Sequence, residues 1–63
     1  MDAVKFNVGD MVESIYELTD YDGSPFHKGE VGKVTKTTRS TIHVRDPRSH
    51  VHIRYRYDFK VKN

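Results

Sequence analysis

Thr41-Ile42-His43-Val44-Arg45-Asp46-Pro47-Arg48-Ser49-His50-Val51-His52-Ile53-Arg54 is the stretch whose two-residue period decides the fold. Ile42, Val44, Val51 and Ile53 alternate with polar residues, as on half-buried strands. Asp46-Pro47-Arg48-Ser49 supplies the turn, because proline presets φ and a short polar side chain bonds to the backbone beyond it. Strands 41–45 and 50–54 therefore form an antiparallel hairpin whose four aliphatic residues share one dry face.

Working outward, Tyr55-Arg56-Tyr57-Asp58 is expected to make a single helical turn, and Phe59-Lys60-Val61 a last short strand. Before the hairpin, Thr37-Thr38-Arg39-Ser40 is a polar turn and Gly29–Thr35 a strand, in which Gly32 implies a bend or a close backbone approach. Residues Glu17–Lys28, dense in Asp, Gly, Ser and Pro, are expected to form one long surface loop anchored by Tyr21 and Phe26. Between Asp10 and Tyr16 two periods compete. Val8, Met11, Val12, Ile15 and Leu18 lie near helical spacing, and Asp10 with Glu13 imitates a capping box. The β-branched Val12 and Ile15 and the turn-rich segment that follows favour a strand. Val4, Phe6 and Val8 make an extended lead-in before a turn at Gly9-Asp10.

Five short strands with a long loop after the first predict an all-β fold, a small closed or nearly closed barrel. The chain resembles the SH3-like barrels of bacteria and phages, including KOW-type modules. The matching residues are Phe6-Asn7-Val8-Gly9-Asp10-Met11-Val12, Gly29-Glu30-Val31-Gly32-Lys33-Val34 and Val51-His52-Ile53. The resemblance implies a fold and little about activity. Peptide-binding SH3 domains carry a tryptophan that this chain lacks, with only Leu18-Thr19-Asp20-Tyr21-Asp22 as an echo of their groove. Val8–Val12 is also similar to the plasmid-encoded type of dihydrofolate reductase. Where that family has a Val-Gln-Ile-Tyr active segment, this chain reads Val51-His52-Ile53-Arg54, so the activity is not carried over.

Sixty-three residues hold one domain and a small core. There is no cysteine, hence no disulfide and no thiolate metal site. No apolar run is long enough for a membrane span, and Met1-Asp2-Ala3 does not open like a signal peptide. A cytoplasmic protein without membrane contact is expected. Charge is split: residues 1–31 carry seven acids against two bases, residues 32–63 nine bases against two acids. The split fits either two surfaces for partners of opposite charge or two halves that neutralise each other.

The polar face of the hairpin gathers His43, Arg45, His50, His52 and Arg54, with Arg48 at the tip and Tyr55 and Tyr57 following. Guanidinium and imidazole groups suit phosphate contact, and the aromatic rings suit stacking on unpaired bases. The expected function is non-enzymatic binding of an anionic partner, DNA or RNA, through this face. The alternative is a small phage-type regulator that binds a larger host protein through an acidic aromatic loop of Tyr16, Glu17, Asp20, Tyr21, Asp22 and Phe26. His43, His50 and His52 offer imidazoles for a metal but no fourth ligand, and Asp20–Ser24 lacks the spacing and closing glutamate of a calcium loop. With no nucleophile elbow, phosphate-cradling loop or thiol, neither a cofactor nor a small-molecule substrate is expected.

Overall fold

The protein is all-β. A computed structural model describes residues 5–62, with β1 at Met11–Ser14, β2 at Leu18–Thr19, β3 at Pro25–Phe26, β4 at Val31–Thr37, β5 at Thr41–Arg45 and β6 at Val51–Tyr55. A 3-10 turn at Arg56–Asp58 leads into β7 at Phe59–Val61. Five strands form one antiparallel sheet in the order β6-β5-β4-β1-β7, while β2 and β3 pair as a separate two-stranded ribbon. Among the described residues no ladder joins β6 to β7, so the main sheet they form is open with these strands as its edges. Val4 lies outside the described residues.

Alternation along β1, β4 and β5 sends Val12, Val34, Ile42 and Val44 to one side, where they pack with Phe6, Leu18, Phe26 and Phe59. The segment expected as a surface loop contributes two of these, because Leu18 and Phe26 face each other across the β2–β3 ribbon. Two-residue strands are too short to show a period, and Asp, Gly and Pro around them read as turn chemistry. Phe26 is fully buried, its ring set edge-on to Phe59 at 5.2 Å and to His52 at 5.1 Å between centroids. Gly32 marks a close approach: a Cβ there would lie 2.6 Å from the Arg45 carbonyl oxygen and 2.6 Å from Val44 Cγ1. The lead-in does not hold its period, for a turn at Val8-Gly9 leaves Val8 65% exposed while Phe6 is buried.

The hairpin forms where expected, but its faces are exchanged on the second strand. A turn of four residues, 46–49, would pair Arg45 with His50. Instead the Asp46 N–H donates to the His50 carbonyl and the Ser49 N–H to the Asp46 carbonyl, so the loop proper is Pro47-Arg48-Ser49. Ser49 adopts φ 72°, completing a type I turn followed by a bulge residue in the left-handed region. The ladder then runs Arg45↔Val51, Val44↔His52, His43↔Ile53 and Ile42↔Arg54. A slip of one residue turns every side chain of β6 over. His52 is fully buried beside Val44, whereas Val51 and Ile53 stand in solvent at 44% and 61% exposure.

Candidate functional site

The expected cationic face is therefore two half-faces with different fates. On the inner side, His52 Nε2 lies 2.6 Å from Asp46 Oδ2, both groups buried. His52 Nδ1 lies 2.8 Å from Asp20 Oδ2, an ion-pair distance without the alignment of a hydrogen bond. Arg54 donates to Asp20 Oδ1 at 3.0 Å and to the Thr19 carbonyl at 2.8 Å. Arg48 at the turn folds back onto Glu30 with two bonds of 2.7 Å and onto the Pro25 carbonyl. This forked pair holds the Glu30 carboxyl at about 2, well below its ordinary value, and raises the Arg48 guanidinium.

Asp46 organises the whole turn. Its Oδ1 accepts from the backbone N–H of Arg48 at 2.8 Å and of His50 at 2.9 Å, while Oδ2 faces His52. Burial pushes its carboxyl upward, but the bonds from His52 and the two N–H groups outweigh burial and leave it below the usual aspartate range. Three residues expected to grip an outside anion, Arg48, His52 and Arg54, thus face carboxylates of the same chain. The acidic N-terminal half and the basic C-terminal half neutralise each other at this end of the molecule.

The outer side is different. Across β4, β5 and β6 the register sets Lys33, Arg45 and Val51 in one row and Lys36, His43 and Ile53 in the next, with Thr41 beside Tyr55 in a third. Lys36 reaches this face through a bulge: between Val34↔Val44 and Lys36↔His43 the β4 strand holds one extra residue, Thr35. The extra residue changes the phase of the alternation, so Thr35 and Lys36 are both exposed. No Asp or Glu stands on these three rows. Among the described residues none of the ion pairs involves Lys33, Lys36, His43 or Arg45. Val51, Ile53, Tyr55 and Tyr57 are all exposed.

Of the expected anion-binding set, the structure brings together His43, Arg45 and Tyr55 on the sheet face. It sends His52 and Arg54 to the opposite side, ties Arg48 to Glu30, and leaves His50 exposed in the turn and Tyr57 on the 3-10 turn. Lys33 and Lys36 were not anticipated. The alternation in Gly32-Lys33-Val34 is a signal for the first, whereas the second depends on a bulge that no local pattern announces. The imidazoles considered for a metal are likewise divided, with His43 outward and His52 inward. In the acidic aromatic segment, Phe26 is core rather than contact surface. Glu17 binds His27 and the Lys28 N–H, which lower its carboxyl, and Asp20 is held by Arg54 and His52. Asp22 accepts from the Ser24 N–H, while Tyr16 and Tyr21 remain exposed.

No protein-family model, curated protein or solved structure matches the chain. Among the described residues no helix is long and apolar enough to cross a membrane.

Proposed function

We propose that the protein is a non-enzymatic binding module that holds single-stranded nucleic acid on the outer face of β4, β5 and β6. The observation that carries the reading is the carboxylate-free face on which Lys33 and Arg45, then Lys36 and His43, stand side by side next to Val51, Ile53 and Tyr55. Lys33, Lys36 and Arg45 contact phosphates, His43 adds hydrogen-bond donors, and the Tyr55 ring stacks on a base. A single strand suits this face because its unpaired bases lie down on exposed apolar side chains, which the stacked interior of a duplex does not offer. The fold that presents the face is read as a pared-down SH3-like barrel. The strand order, the long connection from β1 to β4 and the 3-10 turn before β7 support that placement.

Fluorescence anisotropy with labelled DNA and RNA oligonucleotides across a salt series tests the reading. Three phosphate contacts give a slope of log affinity against log salt of roughly −2 for single strands, and Arg45→Ala lowers its magnitude by about 0.7. Binding that is undetectable at about 50 mM salt, or indifferent to Lys33→Ala combined with Arg45→Ala, overturns it.

A further inference from the structure

The two edges of the main sheet are not alike. β7 is three residues long, and Lys60 within it and Lys62 just after it both lean toward Glu13, at 3.8 and 3.5 Å. Short, charged edges resist pairing with other strands. β6 is five residues long, contains no proline, and alternates exposed Val51, Ile53 and Tyr55 with inward His52 and Arg54.

Its backbone is poised in the same rhythm. The Asp46 N–H to His50 carbonyl bond makes 46 and 50 a hydrogen-bonded pair, so the next such pairs are Val44 with His52 and Ile42 with Arg54. The N–H and C=O groups of Val51 and Ile53 therefore point away from β5. Among the described residues no backbone bond from a turn or loop reaches them. Beside this edge runs a groove of about 870 Å³, lined in part by Tyr21, Asp22, Val51, Ile53 and Tyr55.

We infer that the protein forms a two-fold dimer in which the β6 strands of two copies pair antiparallel about Ile53. Three features select a second copy as the occupant. The pattern of exposed residues is symmetric about Ile53, so Ile53 meets its own counterpart and Val51 meets the Tyr55 of the other copy. The outward backbone groups of Val51 and Ile53 are satisfied by the same symmetry. Pairing brings His52 opposite Arg54, and the Arg54 guanidinium already faces Asp20 of its own chain, which removes the repulsion that a bare cation would impose.

A stable dimer commonly buries about 800 Å² per partner, roughly a sixth of the 4521 Å² surface of this chain. Five paired residues supply less than that on their own, so the groove wall at Tyr21 must join the contact. The product is a continuous ten-stranded sheet. An apolar ridge runs down its centre, flanked on both sides by the rows of Lys33, Lys36, His43 and Arg45.

Sedimentation equilibrium of the full chain from about 5 to 500 μM, the span in which weak dimers assemble, tests this. The mass should rise from one chain to two across that range. Ile53→Pro should keep the fold by circular dichroism, because the amide it removes points out of the sheet, yet it should stay monomeric throughout. As a second readout, Ile53→Cys should cross-link to its symmetry mate under mild oxidation. The Cα atoms of a hydrogen-bonded antiparallel pair lie about 5.5 Å apart, within disulfide reach. Lys33→Cys should not cross-link. A monomer at every concentration, or equal cross-linking of the two cysteine variants, overturns the proposal. The nucleic-acid reading stands apart from both outcomes: a monomer that still binds oligonucleotide sinks only the dimer, and a dimer that binds none sinks only the other.

Discussion

Replacing Asp46 with alanine attacks the turn and the buried histidine at once, and the structure sets the size of the effect. The substitution deletes the 2.6 Å contact to His52 and the acceptor for the Arg48 and His50 amides. It leaves an imidazole with no exposed surface facing a void. Leaving the buried imidazole without its acceptor costs about 2–3 kcal/mol and losing the acceptor of the two turn amides about 1–2 more, roughly 3–5 kcal/mol together. A domain of this size has a total stability of roughly 3–9 kcal/mol, at about 0.05–0.15 kcal/mol per residue. Asp46→Ala should therefore consume most of the stability and drop the melting temperature by more than about 12 °C. Asp46→Asn retains a carbonyl for the two turn amides and should cost about 1–2 kcal/mol. In a His52→Leu background the buried imidazole is gone, and Asp46→Ala should cost only the turn bonds, again about 1–2 kcal/mol. Urea unfolding of the four combinations, followed by circular dichroism, closes the cycle. A coupling of about 2 kcal/mol is expected, well outside the roughly 0.5 kcal/mol scatter of independent sites. Equal costs of Asp46→Ala in both backgrounds would refute the idea that Asp46 acts on the core through His52.

Ser49→Gly should raise stability by about 1 kcal/mol, because the φ of 72° is strained for serine and free for glycine; an unchanged or lowered urea midpoint contradicts the turn as described. Acid should weaken the fold through Glu30. Its folded value of about 2 lies below the ordinary 4.5, so its contribution is complete above about pH 4.5 and is lost as pH falls toward about 2. With the Arg48 side chain 39% exposed, solvent screening limits that contribution to about 1 kcal/mol. Glu30→Gln should flatten the stability profile between about pH 5 and 3, and an identical slope in the variant would exclude the Glu30–Arg48 pair as its source.

The strands legible in the sequence are those long enough to display a period. β5 is bounded by Thr41 and Arg45 and β7 by Phe59 and Val61 as expected, and β1, β4 and β6 fall within two residues of their expected ends. The turn at residues 46–49 is legible in kind, since Asp and Pro stand where a type I turn uses them. Its length is not, because the bulge residue is Ser49, where glycine or asparagine would have announced a left-handed backbone. That silence is why Val51 and Ile53 read as core and His52 as surface. His52 is held inward by Asp46, 6 positions away in the chain, and by Asp20, 32 away, while Arg54 is held by Asp20, 34 away, and only tertiary contact reveals these partners. Lys36 owes its place to the irregularity at Thr35, another non-local feature.

The loop between β5 and β6 acts as a parity bit. With three residues between the paired positions 46 and 50, β6 shows Val51, Ile53 and Tyr55 to the outside. Removing or adding one residue inverts the readout, burying isoleucine and expelling histidine; changing the count by two restores it. Homologues that differ in this loop by an even number of residues should keep the same outer surface. Odd differences should appear only together with a rewritten β6, so the spacing from Asp46 to His52 is a searchable signature of the molecule even where individual side chains have drifted.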